Sequence, residues 1–76
     1  MAIQYLDCKG LCCPMPIVQV ARKFRGMEIG DILEVEADDP AFQPDIEAWA
    51  DCMGQKLSSI NIKNDNIVKA VLEKMQ

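Results

Sequence analysis

Ile17, Val20, Ala21 and Phe24 fall at i, i+3, i+4 and i+7, with Gln19, Arg22, Lys23 and Arg25 on the other side. That spacing is the apolar stripe of an amphipathic helix. It predicts a helix from about Pro14 to Arg25, with Gly26 placed for a left-handed C-terminal cap and basic residues in the last turn. The spacing returns at Ile46, Trp49, Ala50 and Met53, closed by Gly54. Asp39-Pro40 suits the start of that second helix, because a carboxylate caps free N–H groups and proline fits the first helical position. Pro44 is tolerated only in a first turn, which draws the start toward it. Between the helices the period drops to two. In ILEVEA, Leu33, Val35 and Ala37 alternate with Glu34 and Glu36, a strand with one buried and one charged face. Ile3 to Asp7 reads as another strand. Near the C-terminal end, Ile60 and Ile62 alternate with Ser59 and Asn61, and Val68, Ala70 and Leu72 with Lys69 and Glu73, Val71 being assigned to the outer face. With the turn signal Asn64-Asp65-Asn66 between them, a hairpin is preferred, although the composition of IVKAVLEKM also suits a helix.

The order is then βαβαββ: a mixed four-stranded sheet with two helices on one face, an α/β sandwich of two layers. At 76 residues the expectation is a single domain over 1–76. Half the residues are hydrophobic, enough for a folded core. The net charge of −4 argues against nonspecific nucleic-acid binding, which needs clustered Lys and Arg. No apolar run is long enough to span a membrane, and no basic-then-apolar leader opens the chain. A cytoplasmic setting is expected, in which the four cysteines are read as catalytic, metal-binding or buried thiols rather than as two disulfides.

Three of those cysteines crowd into CKGLCCPMP, Cys8 to Pro16. Cys13 precedes Pro14, and if Pro14 opens the helix, Cys13 is its N-cap. Free N–H groups and the positive end of the helix dipole favour an anion there, so the thiol's pKa is expected to fall. Pro16 lacks an N–H and stiffens the first turn. With no histidine in the chain there is no Cys-His pair, and Cys-x-x-Cys is absent. What a lone activated thiolate does is attack sulfur and carry it, as a persulfide or a mixed disulfide. A small buried residue at a helix start is an equally good reading from spacing alone.

LDCKGLCCPMPIVQVARKF resembles the N-terminal signature of the TusA/SirA-like family, on Leu6, Asp7, Gly10, Leu11, Cys13, Pro14 and Pro16. ADDPAFQPDIEAWADCMGQKL is similar to a second family stretch, on Asp38, Asp39, Pro40, Asp45, Ile46, Trp49, Met53 and Gly54. The resemblance covers nearly the whole chain. It implies the same βαβαββ fold and a sulfur carrier loaded on Cys13. The sulfur would come from a cysteine desulfurase or rhodanese-like donor and pass to a downstream sulfur-accepting protein, in tRNA thiolation, cofactor synthesis or dissimilatory sulfur metabolism. No cofactor, nucleic acid or membrane is implied, and a monomer with transient complexes is expected. The sequence departs from the pattern at Cys12, often basic in the family, at Cys8, and in a last strand with few basic residues.

Cys12 and Cys8 are candidate secondary thiols, each more simply read as a loop residue and a strand-end core residue. Were both to face Cys13, three thiols would suit a soft metal but lack a fourth ligand, so no metal site is expected. Cys52, Trp49, Met27 and Met53 read as packing. Asp38 and Asp39 are read as helix caps, or as a polar wall or docking contact beside the thiol. Met15 is a candidate partner contact, and Asp7 and Gly10 order the loop. The alternative functions are a regulatory or adaptor domain with incidental thiols, and a redox or metal-binding protein using Cys8, Cys12 and Cys13.

Overall fold

The computed structural model describes residues 2–63 and 66–76. Asn64 and Asp65, two of the three residues of the expected turn, lie outside them. The elements run β1 (Ile3–Asp7), α1 (Met15–Arg25), β2 (Ile32–Ala37), α2 (Phe42–Met53), β3 (Lys56–Ile62) and β4 (Val68–Glu73). The strands form one sheet in the order β1-β2-β4-β3. β1 and β2 are parallel, joined by the crossover through α1, and β4 is antiparallel to both β2 and β3. The βαβαββ order and the mixed sheet are therefore as the patterning predicts, and the last segment is a strand.

The alternation in β2 and β4 is what builds the core. Leu33, Val35 and Ala37 lie opposite Leu72, Ala70 and Val68 in the β2–β4 register, and all six are buried. This row faces the helices, which contribute Val20 and Phe24 from α1 and Phe42, Ile46 and Ala50 from α2. The Phe24 and Trp49 rings meet edge-on at 5.0 Å, which joins the two helices near their C-terminal ends. On the opposite face the register sets Asp7, Glu36, Lys69 and Asn61 side by side, and Lys9 and Lys63 both pair with Glu36.

Four details depart from expectation. α2 starts at Phe42, between the two prolines, because Asp39 turns the chain before the helix begins: its carbonyl accepts Phe42 N–H at 2.9 Å. Pro44 then sits in the first turn, where its missing N–H costs nothing. Gly26 is not left-handed (φ −92°); α1 ends instead in tight turns to Lys23 and Phe24, and the Lys74 ammonium caps the Phe24 and Met27 carbonyls at 2.6 and 2.8 Å. Gly54 does take the left-handed cap of α2 (φ 70°). An irregularity between Leu57 and Ser59 resets the alternation of β3, so that Leu57 and Ile60 both reach the core. Finally, Met53 and Cys52 are exposed, because the last turn of α2 runs past the edge of the core.

Candidate functional site

The loop from β1 to α1 is built in steps. β1 ends beside β2, and the Cys8 amide continues the ladder by donating to the Glu36 carbonyl at 2.7 Å. This directs the Cys8 side chain inward, where it is fully buried with Sγ 4.0 Å from the Pro16 carbonyl. Burial, and then the charge of Asp7, push its thiol pKa up. Asp7 itself is exposed and holds the loop start: its carboxylate accepts the Lys9 N–H at 2.9 Å and pairs with the Lys9 ammonium at 3.2 Å. Gly10 takes φ +84°, a conformation that suits a residue without Cβ, and its N–H donates to Asp38 at 3.0 Å. The Cys12 carbonyl then accepts the Met15 N–H at 2.8 Å as α1 begins.

Asp38 and Asp39 thus have distinct jobs, both directed at this loop. Asp38 holds Gly10. Asp39 is shared: one carboxylate oxygen accepts the Ala41 N–H at 3.1 Å and the other the Cys13 N–H at 2.6 Å. The connection into α2 and the thiol loop are tied together through one side chain. Pro16 is buried at the start of α1, whereas Pro14, Met15, Cys12 and Cys13 are exposed. Met15 presents 40% of its surface beside the thiol.

Cys13 is not the N-cap of α1. Pro14 occupies that place and Pro16 lies inside the first turn. Two of the four N–H groups that a helix start offers are therefore missing, and that of Met15 is occupied by the Cys12 carbonyl. Few donors remain to stabilise a thiolate. The Cys13 thiol instead donates to the Asp45 carboxylate, Sγ to Oδ2 3.1 Å. That hydrogen bond raises its pKa, and partial desolvation and the charges of Asp45 and Asp39 add in the same direction. The expected downward shift is reversed by the carboxylate of Asp45, which stands in the first turn of α2.

Asp45 is the residue that reading by site chemistry missed. It lies within the second resemblance stretch, but nothing local links it to a thiol 32 positions earlier. Only the packing of α2 beside α1 brings the two together. Among the described residues, no group of three His, Cys, Asp or Glu side chains is arranged to hold a metal ion. All four cysteines are free, with Cys8 sealed in the core and the other three exposed. Three surface hollows, of about 560, 360 and 220 Å3, lie elsewhere than at Cys13, although Asp38 and Asp39 line the second.

A two-layer βαβαββ sandwich with a Cys-Pro-x-Pro loop between its first strand and helix defines the class. Residues 4–74 match the family described as sulfurtransferase TusA, and the chain belongs to that family. It is 32% identical over 71 residues to a protein of Archaeoglobus fulgidus provisionally named a sulfur carrier, covering 93% of this chain and 92% of that one. It is 43% identical over 51 residues to YrkF of Bacillus subtilis, named in the same way, covering 67% of this chain but only 28% of YrkF. The crystal structure of a SirA-like protein from Desulfitobacterium hafniense superposes with a TM-score of 0.83 over 96% of this chain and 99% of that one. At 18% identity that match concerns the fold. No helix among the described residues is long and apolar enough to cross a membrane.

Proposed function

We propose that this protein is a sulfur carrier loaded on Cys13. The observation that carries the reading is an exposed thiol, hydrogen-bonded to a carboxylate. Such a thiol is open to approach from solvent. It suits a reaction in which a second protein brings its own reacting group to the surface. Membership in the TusA family and the names of the relatives support the same role.

Loading is a thiol exchange at sulfur. The Cys13 thiolate attacks the outer sulfur of a persulfide on the donor. A new S–S bond forms on Cys13, the donor's S–S bond breaks, and the donor leaves as its thiolate. Unloading repeats the step with the acceptor's thiol as nucleophile, so no external oxidant or reductant is needed. The donor is a cysteine desulfurase or a rhodanese-like protein and the acceptor a downstream thiol protein, meeting a monomeric carrier in transient cytoplasmic complexes. In this reading Pro14, Pro16, Gly10 and Asp7 shape the loop, Asp38 and Asp39 fix it to α2, and Met15 contacts the partner. Cys12 is the available second thiol, and Cys8, being buried, is not.

The test is intact-mass spectrometry after incubation with a persulfide-bearing donor protein, on wild type and on Cys8→Ser, Cys12→Ser and Cys13→Ser. The expected outcome is a gain of one sulfur atom that survives the first two substitutions and disappears in Cys13→Ser. A gain that persists without Cys13, or none in a folded wild type, refutes the assignment.

A further inference from the structure

The reaction needs a thiolate, yet the structure stabilises a thiol. Asp45 accepts from Cys13 Sγ at 3.1 Å, and Asp39 holds the Cys13 amide at 2.6 Å with its second oxygen on Ala41. The titratable groups that face Cys13 are the carboxyl groups of Asp45 from α2 and Asp39 from the connection before α2. The neighbouring prolines deprive the α1 start of the donors that would offset them. Backbone, carboxylate and helix therefore fix both the direction of the thiol and its proton.

We propose that Asp45 is a positioning residue that keeps Cys13 in its protonated, unreactive form at rest and aims the sulfur at α2. This deepens the carrier reading and rests on it for its purpose, which is to keep an exposed thiol from random oxidation between transfers. Asp45 touches the reacting atom only through this hydrogen bond. Its removal makes the thiol more reactive, the reverse of what losing an ordinary supporting contact does. Reactivity of a thiol toward sulfur or an alkylating agent rises with its thiolate fraction. An uncharged amide at position 45 keeps the acceptor geometry while removing the charge.

The experiment follows the rate of Cys13 alkylation by iodoacetamide against pH, read by peptide mass mapping, in wild type, Asp45→Asn and Asp45→Glu. In Asp45→Asn the midpoint of the profile is expected at lower pH, with alkylation several-fold faster at neutral pH and equal to wild type in strong alkali, where both thiols are ionised. Asp45→Glu is expected to restore a midpoint near the wild-type value. An unchanged midpoint in Asp45→Asn, with circular dichroism showing the fold intact, overturns the proposal. If Asp45→Asn does not fold, the wild-type midpoint decides alone: at or below that of a cysteine in an unstructured peptide of this loop, it overturns the proposal, and above it, it supports it. None of these readouts involves sulfur transfer. Uptake from disodium tetrasulfide is measured on the same proteins: the Cys13 sulfur bonds to the terminal sulfur of the chain, the adjacent S–S bond breaks, and the departing trisulfide takes the proton. A shifted alkylation midpoint with no uptake in any variant would leave the Asp45 pairing standing and defeat the carrier reading, whereas uptake with an unmoved midpoint would do the reverse.

Discussion

Cys8 carries its thiol beneath the first turn of α1 with none of its surface exposed, while Cys13, in the same loop, stands in solvent against Asp45. The residue-level consequence is an order of reactivity. Alkylation requires both access and a thiolate. Cys12 and Cys52 are exposed, Cys13 is exposed but held protonated, and Cys8 is both buried and shifted toward the thiol form. Treating the native protein with iodoacetamide at neutral pH should give two fast adducts, then a slower third at Cys13, and stop there. In denaturant the fourth adduct should form at a rate like the others. Native labelling of Cys8, or labelling of Cys13 ahead of Cys12, would contradict the geometry. Cys13 stands out in the sequence as the candidate thiol through the Cys-Pro-x-Pro resemblance, since spacing alone reads it equally well as a small buried residue, and the structure leaves it exposed. Its protonation state was not legible. A helix start viewed alone predicts an acidic thiol, and the carboxylate that reverses this comes from another helix. The sequence suggests Asp38 and Asp39 as caps or as a wall beside the thiol; Ala41 is instead the N-cap of α2, with no side chain capping the helix, and the two carboxylates accept the Gly10 and Cys13 amides of the thiol loop.

At the scale of elements, legibility follows how far the deciding interaction lies along the chain. β2 is bounded as its alternation predicts, since period and charge are local properties, and β1 has the bounds expected of it although Ile3 and Tyr5 are exposed. Val71 on the outer face of β4 was also readable, because its neighbours Ala70 and Leu72 must both turn inward. The C-terminal end of α1 was not. Gly26 suggested a left-handed cap, but α1 closes in tight turns, and the Phe24 and Met27 carbonyls also accept from the Lys74 ammonium, from beyond β4 and distant in sequence. The ammonium also opposes the negative end of the helix dipole. Lys74→Met keeps the aliphatic stem and removes the donors, and should cost about 1.5–3 kcal/mol, the range for hydrogen bonds to a charged group. Chemical denaturation would show it as a lower midpoint with an unchanged slope. A variant as stable as wild type would mean that Gly26 and water close α1 without the lysine. Phe42 was likewise missed as a core residue, because it precedes the Ile46 stripe by one turn and only the observed start of α2 places it inward.

For the molecule as a whole, the placement of charge sets a pH range of stability with two differently built limits. Asp31 accepts N–H groups from Glu28 and Ala2 at 3.0 and 3.1 Å, and these bonds hold its pKa below the ordinary 3.8. Hydrogen bonds from Lys63 and Lys9 hold Glu36 below its ordinary 4.5. A carboxylate with a depressed folded pKa binds fewer protons folded than unfolded, so stability rises with pH across that interval. These contributions are present above about 4.5 and are lost as pH falls through the folded values. The thiols act at the other end. Hydrogen bonding to Asp45 raises Cys13 and burial raises Cys8, each above its ordinary 9.0. Between 9.0 and the folded values the unfolded chain has lost protons that the folded chain keeps, so stability falls as pH rises. Lys9 and Lys69, raised above 10.5 chiefly by hydrogen bonds to Glu36 and Glu34, extend that decline. Thermal melts across pH should show a plateau bounded near these values. Replacing Asp31, which ties the start of β1 to the turn before β2, with asparagine should flatten the acid limb and leave the alkaline limb unchanged. Replacing Cys8 with alanine should flatten the alkaline limb alone. If each substitution lowered stability equally at every pH, the limits would arise from general charge repulsion rather than from these groups.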